Sequence, residues 1–328
     1  MKRLGKRLLL SGLAACFVFP TAVIGQAFPT KALKVVVPYP PGGVDVTIRM
    51  LIPTMEKELG QPVIIDYKPG ASGVIGTDYV ARADPDGYVL LATSSNPWVV
   101  SPAMRKTSPY DPIKDFTPLS IVLEGVNLIV AGVKFPPNNV TELIAYAKKN
   151  PRDVAWATSG TGSSWHLDEE NFNRLAGTTI LHTPFKGFGP MIPALLNGQV
   201  QVGGITYQII NKLVAAGKVK MIGVLNTNQK AKHLFPSGVQ TVSSVLPEFV
   251  TGPSWVGMGG PAGLPAPIVT RLNKAIVNAI QSPLLQERCA KDRCIVTGST
   301  PQEFAERIKS DFESAVRIVR EARIAKVD

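Results

Sequence analysis

The chain is 328 residues long, 45% hydrophobic and 18% charged, values of a folded globular protein that exclude a disordered chain. Its formal net charge is +11, yet no Lys/Arg run and no basic-aromatic interleaving accompany it, which leaves nucleic-acid binding without support.

The first 27 residues stand apart. Lys2, Arg3, Lys6 and Arg7 form a basic head, residues 8–24 are largely apolar, and "GQA" ends at Ala27. This is the pattern of a cleaved secretory signal, its apolar part too short and too broken to span a membrane. "LAAC" at 13–16 offers a second reading, lipidation at Cys16, but "FVFPTAVIG" after it stays apolar, which favours cleavage after Ala27. Loss of the segment takes four of the 35 basic residues and none of the 24 acidic ones, leaving a net charge of +7. An exported chain with that charge favours anionic ligands or a membrane surface.

From there apolar runs of strand length alternate with helix-period segments. Leu33–Val37 reads as a strand, 46–59 as a helix stopped by Gly60 and kinked at Pro53, 63–66 as a strand, 72–82 as a helix and 88–93 as a strand ending in "SSNP". "SPYDPIKDFTPLS" reads as an irregular surface segment. The alternation restarts with strand 126–133, helix Val140–Lys149, strand 154–157, helix 167–176, strand 179–182, helix 191–196 and strands 200–205 and 219–225. Helical segments at Ala266–Ile280 and 301–324 follow "PSWVGMGGPAG". The order predicts two α/β units, each with a parallel-type sheet and its ligand site outside the carboxyl ends of the strands.

Three loops after strands carry the candidate chemistry. "VPYPPGGVD" (37–45) is stiffened by prolines and bared by glycines, with Asp45 read as a helix N-cap. "TSGTGSSWHL" (158–167) offers Ser159, Thr161, Ser163 and Ser164 as short donors at a helix start, a natural seat for an anion. "HTPFKGFGP" (182–190) adds Lys186 as a cation or as a plain solvated lysine. Enzyme readings find less. There is no GxSxG elbow, no phosphate loop and no dinucleotide loop. A Ser163 or Ser164 nucleophile with His182 as base, the secreted serine-type hydrolase alternative, lacks an orienting third group. His166 reads equally well as a helix-start residue bonded to backbone. Cys289 and Cys294 in "CAKDRC" form either a short local disulfide or two unrelated thiols, at a spacing that fits no zinc box.

The segments "FPTKALKVVVPYPPGG", "LGQPVIIDYKPGASGVIGTDYVARADPDGYVLLATSS", "SPYDPIKDFTPLSIV", "TSGTGSSWHL", "HTPFKGFGPMIPALLNGQV", "LVAAGKVK" and "GSTPQEF" resemble the extracytoplasmic solute receptors of tripartite tricarboxylate transporters, the Bug or TctC proteins. The resemblance runs from Phe28 to near the C-terminus. It implies a type II periplasmic-binding-protein fold of two α/β domains with a ligand cleft between them, domain 1 being 28–124 plus 250–328 and domain 2 being 125–249. It implies a monomeric periplasmic receptor, not an enzyme, with no cofactor and no metal. Its ligand would be a small carboxylate, di- or tricarboxylate or aromatic acid, and its partners the membrane subunits of such a transporter or a sensor protein. Carried over by motif, the ligand-binding positions are Tyr39, Gly43, Ser94, Ser159, Thr161, Gly162, Ser163, His166, Lys186, Thr206 and Tyr207. Three departures accompany them. Only Val44 separates Gly43 from Asp45, Ile205 stands where the family often has Asp, and Trp165 stands where a small residue is common. With Trp98, Phe185 and Tyr207, Trp165 suggests a bulky or aromatic acid, unless these rings are core.

Overall fold

The computed structural model describes residues 28–225, 234–235 and 238–327; the leader, Cys16 and His233 lie outside the described residues. Two sheets organise the chain. The first runs β11-β4-β10-β3-β1-β2 and the second β7-β6-β8-β5-β9. The strands of the first are β1 (Leu33–Val37), β2 (Val63–Tyr67), β3 (Val89–Ser94), β4 (Phe116–Glu124), β10 (Trp255–Pro261) and β11 (Ile295–Val296). Those of the second are β5 (Asn127–Gly132), β6 (Ala155–Thr158), β7 (Leu181–Pro184), β8 (Val202–Thr206) and β9 (Val219–Val224).

Each sheet is buried on both faces, as apolar runs without alternation require. Leu33, Val35, Val37, Leu90 and Ala92 pack on one side with the helices Val44–Leu59 and Ala266–Ile280. Val36 and Leu91 point to the other, against Trp98, Trp255 and Phe304. In the second sheet Ile129, Trp156 and Val202 belong to one core cluster and Leu128, Val130 and Ala157 to another. The helix Val44–Leu59 continues across Pro53, which lies on its exposed face, where the carbonyl left without a donor can take water.

Neither sheet is purely parallel. β1 pairs β2 and β3 in parallel, and β6 pairs β7 and β8 likewise. β10 is antiparallel to β3 and β4, and β5 is antiparallel to β8 and β9. Both reversals arise where the chain passes directly from one sheet to the other. Only Gly125 and Val126 separate β4 from β5, and β9 and β10 belong to different sheets. Neither passage is a crossover within one sheet, so nothing imposes a parallel, right-handed return there. β4 also corrects the irregular reading of "SPYDPIKDFTPLS". Its Pro118 faces Gly259 at a register shift, a place where a residue without an N–H is tolerated.

The two crossings are tied together. Gly125 N–H donates to the Ser254 carbonyl at 2.8 Å, and the Ser95 hydroxyl to the Pro253 carbonyl at 2.7 Å. From the second domain, Asp168 accepts the Gly252 N–H at 2.6 Å and the Thr251 hydroxyl at 3.1 Å. At the C-terminus, the helix Pro301–Glu321 starts on a capping box, with Glu303 N–H donating to Thr300 Oγ1 at 3.2 Å and Thr300 N–H to Glu303 Oε2 at 2.8 Å. Thr300→Ala is expected to lower unfolding stability by about 1 kcal/mol in a urea titration, with no change in slope.

Candidate functional site

Loops from both domains meet in a cleft at the carboxyl ends of β1, β3, β6 and β7, where open sheets of this kind collect ligands. Its outer part is a cavity of about 1250 Å³ walled by residues 39–44 and 159–165 and by 184–189. Its inner part, about 460 Å³, reaches past the two crossings to the helix Pro283–Asp292. Gly43, Ser94, Asn96, Ser164, Trp165 and Phe188 border both.

The first loop owes its shape to Gly42 and Gly43, at φ +122° and +53°, backbone that side-chain-bearing residues rarely adopt. A Cβ on either would meet nothing within 4 Å, so conformation and not crowding selects glycine. Gly43 is the N-cap of the helix and no side chain caps it. Asp45 is therefore not the cap predicted for it. Its buried carboxylate accepts Tyr67 Oη at 2.5 Å, Arg49 Nε at 3.0 Å and, at 3.4 Å, the Gly42 N–H. Tyr39 lines the outer cavity and pairs with Ser94 Oγ at 2.7 Å, and burial of its hydroxyl raises its pKa.

In the second loop Gly160 and Gly162, at φ +141° and +79°, turn the backbone into the cleft. Ser163 is the N-cap of the helix Ser164–Ala176: its hydroxyl accepts the His166 N–H at 3.3 Å and donates to the Gly160 carbonyl at 2.6 Å. His166 lines neither cavity. It stands behind the loop, its Nδ1 accepting the Gly162 N–H at 3.3 Å, and its ring stacks on His182 with centroids 4.0 Å apart. His182 in turn bonds Thr158 Oγ1 through Nε2 at 2.8 Å. Burial, with His166 beside it, pushes the His182 pKa down to about 4, so it is a neutral brace. The serine–histidine pair of the hydrolase alternative is not assembled, because the Ser163 proton goes to Gly160, Ser164 Oγ faces the Pro253 carbonyl and His182 is held by Thr158.

Of the remaining predicted positions, Ser159, Thr161, Gly162 and Lys186 wall the outer cavity and Thr206 the inner one. Tyr207 does not. It opens the helix Tyr207–Ala215 instead of ending a strand, and it is buried beside Phe235 with the Arg293 guanidinium 5.1 Å from its ring. Trp98 is likewise core and Ile205 is buried, whereas Trp165 and Phe185 do face the cleft. Sequence reasoning missed Asn96, Phe188, Gln208, Ser254 and Arg288, all of which line the inner cavity. Asn96 sits two residues after Ser94 and could have been found from "SSNP"; Arg288 comes from a distant helix and had no local signal. Cys289 and Cys294 are joined in a disulfide, with Cα atoms 4.6 Å apart.

Lys186, Arg288 and Asp292 are the charged groups lining the cleft among the described residues. A strongly perturbed group lies in the helix that follows the second loop. Glu169 is fully buried, its Oε1 accepts Asn173 Nδ2 at 2.7 Å, and its Oε2 has no partner among the described residues. Burial, reinforced by the Glu170 charge, pushes its pKa from 4.5 up to about 9. The folded chain thus keeps a proton that the unfolded chain releases above pH 4.5, and the stability this proton confers is lost as pH rises toward 9. Melting temperature is expected to fall between pH 7 and pH 9, and Glu169→Gln to flatten that fall.

The chain matches the family model described as the tripartite tricarboxylate transporter family receptor over residues 47–324. Protein BugT of Bordetella pertussis is 32% identical over 301 residues, covering 91% of each chain. Among solved structures, R. palustris Rpa4515 with adipate superposes at a TM-score of 0.79 and 28% identity, covering 92% of this chain and 100% of its own. The periplasmic binding protein BugD does so at 0.76 and 30% identity, covering 90% and 99%.

Proposed function

The chain belongs to the tripartite tricarboxylate transporter receptor family, a family of receptors and not of enzymes, and from that premise we propose that it is a monomeric periplasmic receptor that captures a small carboxylate by closing its two domains. The observation that carries the reading is the cleft. Two glycine-bared loops, one from each domain, face each other with backbone N–H groups and short hydroxyls, and Lys186 of the third loop stands beside them. Among the described residues no general base is paired to a nucleophile there. Donors of that kind suit an anionic oxygen, and the start of the helix Ser164–Ala176 adds its partial positive charge. That Rpa4515 is solved with adipate supports a carboxylate here.

In this reading residues 28–124 with 250–328 form one moving body and 125–249 the other, hinged at the paired crossings. A ligand touching both bodies prefers the closed state and shifts the equilibrium toward it by that preference alone. The closed form is the one offered to membrane subunits of a transporter, or to a sensor protein. Among the described residues no helix is long and apolar enough to cross a membrane, in keeping with export behind a leader cleaved after Ala27. Native mass spectrometry of protein recovered from the periplasm tests this: a mature chain beginning at Phe28 and carrying one small organic acid is expected. Ester turnover without acid binding would overturn it.

A further inference from the structure

The inner cavity bears on which carboxylate fits. It is continuous with the donor-rich outer cavity through Gly43, Ser94, Asn96 and Ser164, so an acid seated on the glycine loops points its body inward. What the body meets there is apolar: Leu123, Trp165, Phe188, Ile209, Val256 and Leu285. Trp165 and Phe188 stand edge to face with centroids 5.7 Å apart, a wall suited to a third ring. At about 460 Å³ the cavity falls within the size range of small-molecule sites and is far larger than a four-carbon diacid requires.

The charges at its far end narrow the choice. Arg288 Nε is bound to Asp292 Oδ2 at 2.8 Å, one turn along the same helix, and Asp292 Oδ1 also accepts Asn211 Nδ2 at 3.1 Å. A second carboxylate arriving there would face Asp292 and compete for a cation already neutralised. Neutral hydrogen-bonding groups surround the pair instead, among them Thr206, Gln208 and Ser254. At the junction of the two cavities Asn96 lines the wall, and its buried Oδ1 has no partner among the described residues.

Resting on the receptor reading above, we infer that the ligand is a monocarboxylate with a ring-sized apolar body and a neutral polar substituent, the body filling the inner cavity, and not a short diacid. Isothermal titration of the mature protein with 4-hydroxybenzoate, 4-hydroxyphenylacetate, succinate and malate tests it. At least one of the ring acids is expected to bind tenfold or more tightly than either diacid. Succinate or malate binding as tightly as both ring acids overturns the inference and leaves the carboxylate receptor standing; binding of none of the four overturns both. Ile209→Trp, at a half-exposed wall, and Val256→Phe, at a partly buried one, narrow the inner cavity from different sides. Whichever of the two melts like the parent protein is expected to weaken ring-acid binding at least tenfold, and unchanged ring-acid binding in it overturns the placement.

Discussion

Replacing Ser159 by alanine and Gly162 by proline together is expected to abolish the rise in melting temperature that a carboxylate ligand produces, while the ligand-free protein melts within a few degrees of the parent. The argument is local. Gly162 has φ +79°, and a proline ring holds φ near −65°, so the loop cannot keep its path. Proline also removes the N–H that Gly162 donates to His166 Nδ1, freeing the loop from the imidazole pair behind it. Ser159 adds its hydroxyl to the outer cavity, and its carbonyl holds the Gly187 N–H at 3.1 Å, linking the second loop to the third. Yet the loop adds little to the core: a Cβ on Gly162 would come no nearer than 3.7 Å to its nearest neighbour, Val327. A ligand at a hundred times its dissociation constant stabilises the state it binds by about 2.7 kcal/mol, so losing the site is easily read as a lost thermal shift. An undiminished shift in the double variant would remove this loop from the binding site.

That the second and third loops share one edge was legible before the structure, because each follows a strand and precedes a helix and the parallel strands β6 and β7 end on one side. That the first loop, on the other sheet, meets them was not. What stayed hidden was hidden for physical reasons. β4 begins in a proline-rich passage whose irregularity is real at Pro118 and ends within five residues. β10, "WVGMGGP", shows no period because its glycines answer to packing. A Cβ on Gly257 would lie 2.4 Å from the Phe304 ring and one on Gly259 2.4 Å from Trp98. Such glycines read as turns in a sequence and are close approaches in the fold. The aromatic residues divide in the same way. Trp98 and Trp165 are indistinguishable by type and both are buried in core clusters, but only Trp165 also borders the cleft.

Trp98 is where that distinction has its largest energetic consequence. Its side chain is fully buried beneath β10, with ring centroids 5.1 Å from Phe116, 5.3 Å from Phe304 and 5.9 Å from Trp255, and its Nε1 donates to the Pro112 carbonyl at 3.3 Å. The cluster joins β3, β4, β10 and the helix Pro301–Glu321, so the ring packs beneath a strand that is also held by backbone ladders to β3 and β4. Trp98→Ala removes the ring and leaves a void that three rigid neighbours and a β-sheet cannot collapse to fill. It also strips the Pro112 carbonyl of its donor. Losses of about 3–5 kcal/mol accompany large-to-alanine changes at such sites. A fall of that size in the urea unfolding free energy, at an unchanged slope, is the expected result. Phe in place of Trp98 keeps most of the ring contacts and loses only the indole donor and some volume, and is expected to recover more than half of the loss. If the alanine variant instead unfolded within 1 kcal/mol of the parent, the aromatic cluster would not be what fixes β10 between β3 and β4. The backbone ladders to both strands and the bonds at the crossings would then suffice to hold it.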